Sequence, residues 1–273
     1  WLSARSKTFW TSSILKIALE YTKTFGGRVI SFCQDEFLSN KGVLNESIVS
    51  TELGLKGIPS ISESINLYRD IEILSYSGGK IHIPYVTNSK GVNLIREAKK
   101  NNLDITASVS LAHITFSEKD IPEFDTNFKL IPPLRSESDL NSLKEGLIDG
   151  TIDYLTSMHE PFDIDNKINV FDNASSGSIG LESMFGLMSN QFTLEKTIDI
   201  LTRKKIIFEV DDHPIEIGSL ADLSLFNPDK IYNFSEDHIL STSKNCAFIN
   251  TKHKGIVYGS INGQNFTLNK LWT

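Results

Sequence analysis

Cysteine is scarce in this chain: Cys33 and Cys246 are the only two among 273 residues. Two thiols cannot make the disulfide framework of a small secreted fold, and free thiols suit a reducing, cytoplasmic setting. Basic charge is also short. Lys and Arg number 27 against 34 Asp and Glu, a net charge of −7, and the pI is near 5.4. Nucleic acids and anionic membranes both require a basic footprint, so neither is expected as a partner. No apolar run approaches the roughly 18 residues of a membrane helix. The opening WLSARSKTFW has no apolar h-region and no small-residue cleavage site, so it does not read as a signal peptide. It also lacks an initiator Met and opens in mid-pattern, which leads us to expect a piece of a longer polypeptide. Internal repeats, low-complexity segments, a Gly-rich phosphate loop and a Ser-His-Asp arrangement are not legible.

What is present is an ordinary globular composition, 40% hydrophobic and 22% charged. The length fits one large domain or two smaller ones and can bury a core without staples. Residues 11–24 read as an amphipathic helix, with Ile14, Ile17, Ala18 and Tyr21 at helical spacing and Thr11 or Ser12 as cap. Helices are also expected over 62–75 (Ile65, Tyr68, Ile71 and Leu74 on one face), 90–100 and 137–149. Short β-rich runs at 28–33, 80–87, 104–110 and 152–157 alternate with them. That rhythm implies an α/β fold with a parallel sheet. Beyond about residue 200 the texture changes. Short β runs at 206–209, 215–217, 221–226, 247–250 and 256–261 suggest a small antiparallel module. The stretch 172–178 reads as a loop.

Five segments are unusual for filler. They are Gly54-Leu55-Lys56-Gly57-Ile58-Pro59 with Glu63 and Arg69-Asp70, and Lys129 with Pro132-Pro133-Leu134-Arg135. Asp149-Gly150-Thr151-Ile152-Asp153, Gly177 with Gly180-Leu181-Glu182, and Gly218 with Ala221-Asp222-Leu223 follow. In this order and spacing the chain resembles the dihydroorotases of the amidohydrolase superfamily, from about residue 11 to residue 263. The resemblance implies a distorted (β/α)8 TIM barrel, of which this chain represents the C-terminal half, plus a small β-sandwich module. Residues 1–200 would be the barrel portion and 201–273 the C-terminal part of the sandwich.

The resemblance also implies a chemistry. Such enzymes use a zinc-activated hydroxide to open dihydroorotate to N-carbamoyl-aspartate, with ligands at the C-terminal ends of barrel strands. Here the position of one ligand His holds Phe32, that of a second holds Tyr85, and that of the metal-binding, proton-shuttling Asp holds Met158. Two substrate-facing positions hold Ile131 and Phe162. Methionine and phenylalanine neither transfer protons nor bind a hard, hydrated zinc centre. The HxH motif that ends the family's first strand has no counterpart in this sequence.

Three readings follow. The first is a non-catalytic homologue with no cofactor and a structural or regulatory role in pyrimidine synthesis. By family analogy it would assemble with aspartate transcarbamoylase and form a homodimer. The second is an active zinc-dependent cyclic amidohydrolase with relocated ligands such as Cys33 or Glu160. The third is a small-molecule binder reusing the cleft around Arg135, His113 and His159.

Asp35, His82, His113, Arg135, His159 and Gly177 are the candidate residues of a vestigial cleft. Each has a plainer reading. Asp35 with Glu36 makes a solvated acidic turn, and the histidines are hydrogen-bonded polar residues. Arg135 either binds a carboxylate or pairs with Glu137 or Asp139. Gly177 and Gly180 serve a tight loop. His213, His238 and His253 read as surface residues, and Arg203-Lys204-Lys205 as a solvated helix end.

Overall fold

The structure is a computed structural model that describes residues 2–3, 11–203, 208, 210 and 215–269. Strand β1 (Leu2–Ser3) precedes helix α1 (Ser12–Lys23) and strand β2 (Val29–Ile30). A lobe of short elements follows: α2 (Glu36–Ser39), β3 (Leu44–Asn45), α3 (Ile48–Glu52) and β4 (Gly57–Ile58). Then come α4 (Ile61–Ser77), β5 (Ile81–Ile83), α5 (Ser89–Lys100), β6 (Ile105–Ser110), α6 (Leu111–Thr115), α7 (Glu137–Asp149) and β7 (Tyr154–Thr156). Helices α8 (Ile164–Lys167), α9 (Met184–Gln191) and α10 (Leu194–Thr202) lead to β8 (Asp222–Asn233), β9 (Lys252–Asn262) and β10 (Asn265–Leu268).

The parallel sheet has the order β1-β2-β5-β6-β7. It holds one strand more than the four expected, because β1 pairs with β2 through Leu2↔Val29 and Ser3↔Ile30. The order follows the chain, as successive β–α–β crossovers dictate. Helices α5 and α7 start on local caps. The Asn88 side chain accepts from Gly91 N at 2.8 Å at the head of α5. Ser136 Oγ accepts from Asp139 N at 3.2 Å at the head of α7. Gly150, at φ 82°, closes α7 in the left-handed conformation.

Pleat alternation gives the sheet two faces. Val29, Ile81, Ile83, Ile105, Ala107, Val109 and Leu155 join the helices in one buried core. Arg28, His82, Thr106, Ser108 and Tyr154 take the alternate positions, and the last four are joined by hydrogen bonds on the other face. The helices bury only part of the stripes expected of them. α1 buries Leu15, Ala18, Leu19 and Thr22 and leaves Ile17 and Tyr21 63% and 67% exposed. α4 buries Leu67, Ile71 and Leu74 and exposes Ile65 and Tyr68. Both helices carry apolar residues on two sides, and the side facing the sheet is the one without aromatic rings.

The C-terminal part differs from expectation in several places. The runs 221–226 and 256–261 lie within β8 and β9, the two long strands of an antiparallel sheet ordered β10-β9-β8. The runs 215–217 and 247–250 are turns and irregular backbone, not strands. Of the run 206–209 only Phe208 lies within the described residues, in a turn. Helix α9 has no counterpart in the sequence reading, and α10 ends at Arg203, where a helix end is expected. Among the described residues the strands close neither a barrel nor a two-sheet sandwich. No helix among them is long and apolar enough to cross a membrane.

Candidate functional site

In a parallel α/β sheet of this kind, chemistry gathers at the C-terminal ends of the strands. Phe32 follows β2, Tyr85 follows β5 and Met158 follows β7. Tyr85 (φ 57°) and Met158 (φ 47°) both sit in the left-handed region. A non-glycine residue pays for that conformation, and such outliers cluster at functional sites. Met158 is buried, and its N–H is tied to Thr156 Oγ1 at 2.9 Å. The strand ends thus have the special backbone of a site, but carry a phenol and a thioether.

The remaining polar candidates are engaged elsewhere. His82 Nδ1 lies 2.9 Å from Thr106 Oγ1. Its Nε2 lies 2.9 Å from the Tyr154 hydroxyl and 3.2 Å from Ser108 Oγ, with the two rings stacked at 5.2 Å. Burial, then the Arg28 charge, lowers its pKa to about 3. His113 Nε2 donates to the Pro132 and Pro133 carbonyls at 3.1 and 3.2 Å, and Nδ1 lies 2.6 Å from Ser110 Oγ. It pins the Pro-Pro turn onto α6, and burial lowers its pKa to about 4. His159 Nδ1 accepts from Gly180 N at 3.3 Å and Leu181 N at 3.4 Å, and its residue bridges Ser178 in parallel.

Asp35 caps α2, its carboxylate accepting from Leu38 N at 2.8 Å. Cys33 is buried with Sγ 3.4 Å from Asp70 Oδ2. Burial, then Asp70, pushes its pKa well up, so the metal-free side chain is a thiol.

Arg135 pairs with neither Glu137 nor Asp139. Its guanidinium is buried, with Nη1 donating to Asn45 Oδ1 at 2.7 Å and to the Ile58 carbonyl at 2.8 Å. Nε donates to Thr87 Oγ1 at 3.2 Å, and Nη2 lies 4.0 Å from Glu63 Oε2. Glu63 in turn accepts from Thr87 N at 3.0 Å and from the Thr87 hydroxyl. Every strong Arg135 donor shown is spent inside the protein, so the expected free carboxylate anchor is a structural tie.

Gly177 (φ 144°) is required by crowding. A Cβ there would lie 2.6 Å from Glu160 Oε2 and 2.8 Å from the Phe162 ring. Two lysines to which the sequence reading assigns no role hold its loop. Lys129 Nζ donates to the Phe171, Asp172 and Ala174 carbonyls, each at 2.8 Å. Lys167 Nζ donates to Thr126 O at 2.6 Å, Ser175 O at 2.8 Å and Gly177 O at 2.9 Å. Both ammonium groups are buried. Lys129 stood inside a quoted motif, but nothing in the sequence marks Lys167. Lys167→Met is expected to lower the opening free energy of residues 170–177 by about 1–3 kcal/mol, through stranded carbonyls. Hydrogen exchange checks this, and unchanged protection of that loop would contradict it.

His253 is fully buried, not a surface residue, and stacks on Phe234 at 4.6 Å. His238 is half-buried. His213, Lys204 and Lys205 lie outside the described residues. Arg203 is tied to Asp199 and to the Leu147 carbonyl at 3.1 Å, which explains its place at the end of α10.

The zinc that the resemblance implies does not fit these donors. Of the three strand-end positions Phe32 has no ligand atom, Met158 offers only a soft thioether and Tyr85 a phenol in place of an imidazole, and the nearby imidazoles and thiol have other partners. Among the described residues no group of three His, Cys, Asp or Glu is placed to hold a metal ion.

No family model matches the chain. Curated relatives do. A dihydroorotase of Caldanaerobacter subterraneus subsp. tengcongensis is 36% identical over 264 residues, covering 93% of this chain and 61% of its own length. One of Endomicrobium trichonymphae is 35% identical over 265 residues, covering 93% and 62%. Among solved structures, a D-hydantoinase matches with TM-score 0.82 at 21% identity, covering 98% of this chain and 63% of its own. The L-hydantoinase (dihydropyrimidinase) of Arthrobacter aurescens matches with TM-score 0.81 at 18% identity, covering 98% and 64%. At such identities these structures show a shared fold alone. The chain spans about three-fifths of the length of the curated relatives it matches. With about a third of its residues identical to theirs across nine-tenths of its length, the chain is a homologue of these curated dihydroorotases.

Proposed function

We propose that this chain is a non-catalytic dihydroorotase homologue with a structural or regulatory role in pyrimidine synthesis. One observation carries the reading. Phe32, Tyr85 and Met158 occupy the strand ends where the family places metal ligands and the proton shuttle; Phe32 and Met158 suit neither task, and Tyr85 puts a phenol in place of an imidazole. The special backbone at Tyr85 and Met158 supports descent from a working site. A relocated zinc site would draw on Cys33, and the Asp70 carboxylate beside that thiol opposes its ionisation. The proposed partner is aspartate transcarbamoylase, by analogy with non-catalytic members of the family, in a cytoplasmic complex that includes a second copy of this chain.

Metal analysis tests the reading. The full-length protein from zinc-supplemented cells is expected to carry far less than one zinc per chain. Stoichiometric zinc removable by a chelator overturns it. The partner is tested separately by sedimentation with aspartate transcarbamoylase, where a joint peak is expected and independent sedimentation at high concentration rejects the complex.

A further inference from the structure

A cavity of about 190 Å³ opens between the Gly180-Leu181-Glu182 turn, α9 and the sheet of β8 and β9. Small-molecule and cofactor sites usually take roughly 300–1,000 Å³. This one is sized for a single side chain.

Its walls are aromatic. Phe185 of α9, Tyr232 of β8 and Phe234 line it. Their positions are set in advance. Phe185 packs edge-on against Phe226 at 4.9 Å, and Phe234 is held between His253 at 4.6 Å and His238 at 5.6 Å. Gly255 is needed beside them, since a Cβ there would lie 2.7 Å from the Phe185 ring.

One carboxylate, Glu182, joins these rings. Its Oε1 accepts from Ser241 N at 2.9 Å and Ser241 Oγ at 2.6 Å. Burial opposes its charge, but the Ser241 bonds outweigh that and hold the carboxyl below its usual range. None of the ion pairs among the described residues includes Glu182. The rim carries exposed Leu181, Leu240 and Val257.

A carboxylate beside the Phe185 and Tyr232 rings, backed by Phe234 between its two histidines, is a chemistry that recognises an organic cation. Guanidinium suits it better than ammonium, because its plane stacks on rings while its fork meets a carboxylate. Exposed apolar side chains around such a pocket suit the flanks of a partner segment, which exclude water from a central anchor. We infer that this pocket receives an arginine side chain of a partner protein, with apolar neighbours seated on Leu181, Leu240 and Val257. The pocket lies between α9 and the β8–β9 sheet, and Phe32, Tyr85 and Met158 do not line it, so it stands whether or not the chain hydrolyses dihydroorotate.

Titration calorimetry on the full-length protein tests this, with acetyl-Leu-Arg-Leu-amide as probe. Millimolar binding is expected, with the neutral citrulline analogue at least about tenfold weaker. Glu182→Gln is expected to erase the difference between the two peptides. Val257→Lys, a change on the exposed rim that leaves the fold intact, is expected to weaken the arginine peptide about tenfold by repulsion. Equal binding of both peptides overturns the inference, as does no binding at millimolar peptide. Free arginine binding as tightly as the peptide overturns the partner-segment assignment.

Discussion

Arg135→Met is expected to cost about 3–5 kcal/mol of folding stability, the penalty for stranding one member of a buried charge pair. Arg135 and Glu63 are 3% exposed each. Burial already raises the pKa of Glu63, and the Arg135 charge is the largest effect holding it down. Without the guanidinium, Asn45, Thr87 and the Ile58 carbonyl also lose a donor. These groups belong to β3, β4 and the segment after β5, so the loss loosens the lobe over the strand ends. Arg135→Lys is expected to rescue little, because one ammonium cannot reach three acceptors in a fork. Arg135→Met with Glu63→Leu is expected to recover much of the loss, since both charges are then gone. Urea denaturation of the single and double variants measures this. A single-variant loss below about 1 kcal/mol would place the pair among weak surface bridges and contradict the structure.

Acid is expected to destabilise the fold well before carboxylates alone would. Three buried imidazoles have native pKa values lowered by burial: His82 to about 3, His113 to about 4 and His253 to about 4. In the unfolded chain each takes its proton near pH 6.5. Between those limits the unfolded state binds more protons than the native state, so stability falls as pH falls. Their contribution is complete above about pH 6.5 and is lost toward pH 4, at up to about 1.4 kcal/mol per pH unit for each histidine. Glu63 and Asp70 act in the opposite direction. Burial raises their native pKa, so they bind protons before their unfolded counterparts and offset part of the loss. The histidines outnumber them. Thermal melts from about pH 7 to pH 4.5 are expected to show a steep fall in Tm, shallower in His113→Gln by one proton's share. A flat Tm over that range would mean that these imidazoles are not buried as described.

Several features were legible in the sequence because their causes are local. Capped amphipathic helices at 11–24, 90–100 and 137–149 and the strands between them follow from spacing and end signals. The buried faces of α1 and α4 were not. Ile14, Ile17 and Tyr21 compete with Leu15 and Leu19 for the core, and periodicity cannot choose between two apolar stripes. The runs 215–217 and 247–250 show the known ambiguity of short apolar segments. Helix α10 did carry a signal, Thr193 as cap before Leu194, Ile198 and Leu201 at helical spacing. Helix α9 carried little, having a central Gly186 and no charge.

At the site, the three altered strand-end positions could be read from the resemblance. The commitments of the polar residues could not. Arg135 meets Glu63 and Asn45 across long stretches of chain, and His113 meets carbonyls of a turn folded back on it. Such pairings depend on the tertiary fold and leave no periodic trace.

The proposed loss of catalysis turns on Phe32, Tyr85 and Met158. Dihydroorotate hydrolysis by the full-length protein in excess zinc tests it most directly, followed at the ring-opening absorbance change against a zinc-only blank. A rate indistinguishable from the blank is expected. Turnover that scales with protein and disappears with chelator would contradict it.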